Sequence, residues 1–190
     1  MKAYIEIEKK LHQFTQKYYK NELIKGSILF FTLGLLFLFV TLFIEYFLWL
    51  SPNIRTVLFW SFVFVETGLL AKFILLPISK LFGIKKGLSE IQVAEIIGKH
   101  FPEVADKLLN IIQLKKQTVQ TDLISASITQ KSIELHPIPF VKAIDFRKNL
   151  PYLKYAILPI FIFAITLIND STIDLQQSFQ RVIKHRTAFV

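Results

Sequence analysis

Apolar residues along this chain are concentrated in long runs that polar residues hardly interrupt. The first run covers residues 26–50 and contains one ionisable residue, Glu45, close to its end. An α-helix rises about 1.5 Å per residue and the hydrocarbon core of a bilayer is about 30 Å thick, so about 20 apolar residues can cross it. The run therefore predicts a transmembrane helix with length to spare.

A second apolar run covers residues 57–78 and contains Glu66, Lys72 and, near its end, Pro77. It predicts a second span with polar interruptions. A short connection with a Ser-Pro turn signal separates it from the first run. We therefore expect residues 26–79 to form a tight antiparallel transmembrane hairpin.

Trp49 and Trp60 flank the turn of this predicted hairpin. An aromatic ring with a polar N–H group favours the boundary between lipid and water. The two tryptophans are therefore predicted to be interface anchors.

The third apolar run, residues 150–168, is weaker. It reaches a spanning length if Lys154 extends its ammonium group to the lipid headgroups, and the polar residues that follow it indicate an exit into water. The run predicts a third transmembrane helix. A buried core helix or a re-entrant segment is the alternative.

Residues 1–25 alternate charged residues with an apolar stripe whose members are three or four residues apart, Tyr4, Ile7, Leu11, Phe14 and Tyr18. This spacing places the stripe on one side of a helix. The segment predicts an amphipathic cytoplasmic helix that lies on the bilayer surface or packs against other cytoplasmic helices. A short intermolecular coiled coil is the alternative, since the spacing is also that of a heptad.

Residues 80–149 predict a cytoplasmic module of short helices. Ser89 suits an N-cap, Pro102 suits a first turn, and a third helix is expected from Asp122 to Leu135. We expect an interfacial helix over residues 140–155. Two apolar stripes are predicted to face the core, Leu88, Ile91, Ala94 and Ile97 in the first helix and Val104, Leu108, Ile111 and Ile112 in the second.

Composition agrees with a membrane protein. The chain is 53% hydrophobic and 19% charged, whereas average soluble domains are about 45–50% apolar and about 25% charged. The mean hydropathy is +0.46. A soluble globular domain and an intrinsically disordered chain are both excluded on this basis. The predicted fold is an all-α integral membrane protein with three transmembrane helices.

The net charge of +9 is unevenly distributed along the chain. About eighteen lysines and arginines precede the first span or lie between the second and third, against about four in the hairpin turn and the tail. The positive-inside rule then predicts a bacterial inner-membrane protein with a cytoplasmic N-terminus and a periplasmic C-terminus. Because topology accounts for the positive charge, no nucleic-acid partner is needed to explain it.

Sequence motifs for chemistry are lacking. The chain has no cysteine, and its four histidines lie far apart, without the spacing of a helical zinc site. We find no phosphate-binding loop and no nucleophile motif. The sequence therefore predicts no catalytic residue, no metal site and no cofactor.

Three ionisable residues fall at membrane depth: Glu45, Glu66 and Lys72. Such residues are costly in lipid and are functional hypotheses by default. Glu45 is expected to hydrate near the outer interface, and Lys72 to extend toward the cytoplasm. Glu66 lies deeper and must be protonated, paired across a helix or subunit interface, or exposed to a polar cavity. These three are the candidate intramembrane polar contacts.

Several stretches resemble a known protein family, and the most specific are FPEVADKLLN and DFRKNL. Together with YYKNELIKG and EYFLWLSPNIRTVLFW, they resemble the N-terminal region of a family of large Bacteroidota membrane proteins, known only as a domain of unknown function. The resemblance covers nearly the whole chain and brings no catalytic residues. It implies a longer protein, in which residues 169–190 begin a strand-rich extracytoplasmic region.

The favoured function is a non-catalytic membrane anchor and assembly subunit of a cell-envelope complex, with a larger extracytoplasmic domain. Its expected partners are the lipid bilayer and copies of itself or other membrane proteins. The alternative is a component of a proton-coupled or transport-type membrane system that uses Glu66. A third possibility is a membrane-bound enzyme whose active site lies in sequence beyond this chain.

Overall fold

A computed structural model describes residues 2–116, 121–168, 175–187 and 189. Throughout these residues the secondary structure is helical and no strand occurs, so the prediction of an all-α protein is confirmed. The chain divides into two compact units. Unit 1 comprises Met1–Glu22 and Ile78–Phe146, and unit 2 comprises Leu23–Pro77 and Arg147–Val190.

The first helix, α1, extends without a break over Lys2–Leu48, which is 47 residues. It contains both the predicted amphipathic segment and the first predicted span. No proline lies within it, and its glycines leave the backbone hydrogen bonds in place. The predicted boundary at residue 25 is therefore a change from a charged to an apolar surface, not a helix end.

The second long helix contains one turn of π-helix. Helix α2 covers Pro52–Leu70, the π segment Ala71–Leu75, and helix α3 Leu76–Leu81. Pro77 has no N–H, so the carbonyl of Phe73 lacks its usual donor four residues later. The wider turn immediately before Pro77 accommodates this loss, and the helix continues beyond it.

Three helical stretches are long and apolar enough to cross a membrane. They are Tyr4–Leu48, Pro52–Leu81 and Phe140–Thr166, among the residues that are described. Helix α7, Leu150–Ile168, coincides with the third predicted span. Pro151 lies in its first turn, where a missing N–H costs nothing. The length and composition of these three helices indicate a membrane protein.

Unit 1 has a hydrophobic core of its own, built from the start of α1 and from α4 (Glu90–His100), α5 (Pro102–Lys116) and α6 (Asp122–Leu135). The predicted N-terminal stripe contributes Tyr4, Ile7, Leu11 and Phe14, each at most 5% exposed. Tyr18 only packs against this core, while its neighbour Tyr19 is buried and its hydroxyl accepts the N–H of Leu88 at 2.7 Å.

The predicted ends of the module helices agree with the structure. Ser89 caps α4 in a capping box with Gln92, α5 begins at Pro102, and α6 covers the predicted Asp122 to Leu135. The predicted stripe of α5 is confirmed, since Val104, Leu108, Ile111 and Ile112 are at most 1% exposed. These ends follow local rules of capping and turn chemistry.

Two predictions for this module are wrong. Ile91 is 36% exposed, and the buried face of α4 instead includes Val93. Ile91 lies in the first turn of α4, and the residues that α4 contributes to the core are Val93, Ala94 and Ile97. Residues 140–149 form two 3₁₀ turns rather than the start of an interfacial helix. The turns are Phe140–Ala143 and Phe146–Asn149.

The expected strand-rich start of residues 169–190 is also not observed. Residues 175–187 and 189 are described, and Leu175–Ile183 forms the helix α8. Its buried residues, Ser178, Arg181 and Val182, recur at three- and four-residue spacing, which is helical. Residues 169–174 lie outside the described part of the chain.

Candidate functional site

A cluster of three buried charged residues lies in unit 2, where α1 ends and α2 begins. Glu45 of α1 is completely buried. Its Oε1 atom is 3.0 Å from Nε of Arg55 in α2 and 3.3 Å from Nε of Arg181 in α8. Arg55 is 3% exposed and Arg181 is 4% exposed. One carboxylate therefore contacts cations from two helices that are distant in the sequence.

Arg55 binds more than the carboxylate. Its Nη2 donates to the carbonyl of Leu50 at 2.8 Å, and its Nη1 donates to the carbonyl of Thr187 at 3.0 Å. With Nε on Glu45, the guanidinium links α1, the turn before α2 and the segment after α8. A planar guanidinium is suited to this role because its donors have a fixed arrangement.

Arg181 holds the cluster from α8. Its guanidinium carbon lies 4.2 Å from the centre of the Trp49 ring, and its Nη2 donates to Oγ of Ser178 at 3.3 Å. Trp49 has a φ of +42°, uncommon outside glycine. Its N–H donates to the carbonyl of Glu45 at 3.1 Å, so it ends α1 in the left-handed conformation that often closes a helix.

The buried charges of this cluster carry a high desolvation cost. Two guanidinium groups share one carboxylate in a buried site, and the Oε2 atom of Glu45 has no hydrogen-bond partner in the described structure. A buried charge is tolerated only if it is paired, because desolvation costs several kcal/mol per ion. Removal of Glu45 would leave two buried cations uncompensated. The cluster therefore couples α8 to the ends of α1 and α2.

The expectation that Glu45 hydrates near the interface is wrong. The carboxylate is covered by Arg55, in the first turn of α2, and by Arg181. The first pair could have been anticipated, because a short turn brings residues 45 and 55 close together. Arg181 could not, since nothing local relates residue 181 to residue 45. Arg55 and Arg181 are thus site residues that sequence reasoning missed.

Glu66 lies in a second place within unit 2, opposite Gly34 of α1. A Cβ on Gly34 would be 2.8 Å from Oε2 of Glu66. The Oε1 atom is buried and has no hydrogen-bond partner within the described residues. A groove of about 210 Å³ runs beside the carboxyl group, and the rest of its lining is Phe30, Phe31, Gly34, Leu35, Leu38 and Phe62.

Lys72 is exposed, and its Nζ lies 5.4 Å from the centre of the Phe73 ring. Among the described residues no ion pair joins it to Glu66. Trp49 and Trp60 are 61% and 57% exposed, so their rings are available to a lipid interface. The candidate polar contacts therefore separate into a closed cluster at Glu45, an open groove at Glu66 and an exposed Lys72 beside the Phe73 ring.

Histidines and acidic residues do not converge on a metal site. In the part of the chain that the structure describes, no group of three or more such side chains could hold an ion. His136 lies 2.9 Å from Oε2 of Glu6, and the His185 ring stacks on Phe59 at 4.5 Å. The arrangement in unit 2 is suited to holding helices together.

No family model, no curated protein and no solved structure matches this chain.

Proposed function

We propose that the chain is a non-catalytic membrane anchor and assembly subunit of a bacterial cell-envelope complex, carrying a larger extracytoplasmic domain. The observation that carries the proposal is the buried cluster of Glu45, Arg55 and Arg181. An anchor must transmit position and force from its spans to the segment that follows them. The cluster provides such a connection, because it ties α8 to the ends of α1 and α2.

The proposed architecture has three parts. A transmembrane hairpin of α1 and α2 is followed by a cytoplasmic module and then by the third span, α7. The surplus of lysines and arginines before α2 and between α3 and α7 supports a cytoplasmic N-terminus in the inner membrane. The C-terminal segment is then periplasmic, and the resemblance to large Bacteroidota membrane proteins supports a longer natural chain.

Purification from native membranes tests this proposal. The tagged natural protein is extracted in mild detergent and examined by native mass spectrometry. We expect an assembly containing further envelope proteins or further copies, and a natural chain longer than 22.1 kDa. A single intact chain of 22.1 kDa without protein partners would contradict both the assembly role and the larger domain.

A proton-coupled function is the second candidate, and one observation favours it. The carboxyl of Glu66 has a buried oxygen without a hydrogen-bond partner, and an apolar groove adjoins it. Proton flux into liposomes containing the purified complex would be compared between wild type and Glu66→Gln. Flux that is lost in Glu66→Gln with the assembly intact supports transport. Equal proton flux in wild type and Glu66→Gln at every pH would contradict the transport proposal without affecting the anchor proposal.

A further inference from the structure

A turn with exposed apolar and basic side chains lies at the C-terminal end of the second long helix. It comprises residues 80–86 of unit 1, with the sequence KLFGIKK, and is called the 80–86 turn below. Phe82 is 74% exposed and Ile84 is 78% exposed. Large apolar side chains exposed on both sides of one glycine are costly in water, so this turn requires a partner that covers them.

The backbone holds these side chains outward. Gly83 has a φ of +72°, its N–H donates to the carbonyl of Lys80 at 3.3 Å, and the N–H of Ile84 donates to the carbonyl of Ser79 at 2.8 Å. The two bonds form a Schellman motif, the common end of a helix at a left-handed glycine. The N–H of Lys85 also donates to Ser79, at 3.1 Å. Phe82 and Ile84 are therefore exposed on a backbone that the hydrogen bonds of this helix end hold in a defined conformation.

Helix length sets the depth of this turn in a bilayer. The stretch Pro52–Leu81 contains 30 helical residues. At about 1.5 Å per residue it is about 45 Å long, close to the full thickness of a bilayer with its headgroups, about 40–45 Å. If residue 52 lies at the headgroups of one leaflet, the 80–86 turn lies at the headgroups of the other.

Charge distinguishes between the possible partners. Lys80, Lys85 and Lys86 are all exposed, and no acidic residue occurs between positions 67 and 89. The turn thus combines two apolar side chains with three cations and no local anion. Lysines near an anionic surface and apolar side chains at the acyl boundary are the combination that binds phospholipid.

We propose that the 80–86 turn is a binding site for anionic phospholipid headgroups. Phe82 and Ile84 insert at the boundary between headgroups and acyl chains, and Lys80, Lys85 and Lys86 contact lipid phosphates. The site is independent of what the chain anchors, since it needs only a bilayer that contains anionic lipid.

Lipid retention by the purified chain tests the proposal. The chain is reconstituted in nanodiscs of equal parts phosphatidylglycerol and phosphatidylcholine, and native mass spectrometry counts the lipids that remain bound. We expect a preference for phosphatidylglycerol that falls about fivefold for each lysine exchanged for glutamine in Lys80→Gln, Lys85→Gln and Lys86→Gln. Added salt should weaken the preference in wild type.

A matched triple variant controls for net charge. Lys9, Lys99 and Lys116 are also exposed lysines of unit 1, so their exchange for glutamine removes the same charge elsewhere. We expect this variant to keep the wild-type preference. The pair Phe82→Ser and Ile84→Ser should lower retention of both lipids, because insertion does not depend on headgroup charge. Far-UV circular dichroism verifies that each variant keeps its helix content.

Two results would overturn the proposal. One is an unchanged phosphatidylglycerol preference in the variant that lacks Lys80, Lys85 and Lys86. The other is protection of Phe82 and Ile84 from water only when a second protein is bound, which would assign the turn to a protein partner.

Discussion

A single residue, Glu45, stabilises the contacts between α1, α2 and α8 in unit 2. Glu45 is isolated in an apolar run, and its surroundings turn it from an expected surface carboxylate into the centre of a buried cluster. Arg55 contacts it and two backbone carbonyls, whereas Arg181 contacts it and the Trp49 ring. The two arginines therefore contribute unequally, which makes the cluster testable residue by residue.

Glu45→Gln should destabilise unit 2 by about 3–5 kcal/mol, the usual cost of breaking a buried ion pair. Arg55→Gln should cost more than Arg181→Gln, because it also leaves the carbonyls of Leu50 and Thr187 without their donor. Unfolding by denaturant in detergent micelles measures all three. Glu95→Gln, on the exposed surface of α4, is the control with the same chemical change. Equal losses for the two arginines would contradict the unequal roles.

Glycine has a defined role where α1 meets the π segment. A Cβ on Gly26 would lie 3.1 Å from the carbonyl carbon of Phe73 and nearer still to its oxygen, both backbone atoms that cannot move aside easily. Gly26→Ala should therefore destabilise by about 1–3 kcal/mol, as overpacking does. Thermal unfolding in the same micelles provides the measurement.

Gly68→Ala is the matched control for this substitution. No atom lies within 4 Å of the position that its Cβ would occupy. Alanine there should be neutral or should stabilise the helix by about 0.5–1 kcal/mol, because glycine is the poorer helix former. If both alanines had the same effect, close packing at Gly26 would not be the cause.

At the scale of the element, the ends of helices follow their capping residues. Ser89 makes a full capping box with Gln92, with contacts of 2.9 and 3.3 Å, whereas Ser51 stands at the N-cap of α2 and makes no side-chain cap bond. A serine at the N-cap therefore makes a side-chain cap bond in α4 but not in α2. Pro52, at the first position of α2, has no backbone N–H, so one fewer N–H group at this helix end needs a hydrogen-bond partner.

Ser89→Ala should therefore cost about 1 kcal/mol of stability and loosen the first turn of α4. Ser51→Ala should cost much less, because no cap bond is lost. Hydrogen exchange of the amides at Val93 and at Arg55 distinguishes the two variants, since these N–H groups donate to the carbonyls of Ser89 and Ser51. We expect a larger increase in exchange rate at Val93 in Ser89→Ala than at Arg55 in Ser51→Ala, each relative to wild type. The opposite order would refute this account.

The whole molecule combines two units with different surfaces. Unit 1 buries apolar side chains in its own core, as soluble domains do, while many large apolar side chains of unit 2 remain exposed, such as Phe31, Phe47, Phe64 and Ile160. Exposure of this kind is expected where lipid is the solvent. The division supports the proposal that the spans and the module face different environments.

Single cysteines can test the proposed topology, because the chain has none of its own. Asn53→Cys lies exposed in the first turn of α2, and Gln113→Cys lies on the exposed face of α5. In bacterial spheroplasts, an impermeant maleimide should label Asn53→Cys at once and Gln113→Cys only after permeabilisation. The reverse order would invert the topology and with it the periplasmic assignment of α8.

The agreement between sequence and structure is good wherever a local rule decides. The start of α5 at Pro102, the bounds of α6 and the buried stripe of α5 follow from caps, prolines and a period near 3.6, and α7 follows from the length of its apolar run. For residues 140–149 the apolar pattern did not distinguish an α-helix from the two 3₁₀ turns that form there. Ile91 is exposed although it fits the period, because which side chains of the first turn of α4 are covered depends on the elements packed around it and not on the helix alone.

The sequence by itself determined that the chain is helical, where its three apolar stretches lie and which stripe of α1 is buried. These properties depend on neighbours within a few residues, so a pattern can encode them. Only the tertiary structure placed Arg181 against Glu45 and Gly34 against Glu66. Such contacts join residues far apart in the chain, and their energies depend on desolvation and close packing, which exist only once the helices have come together.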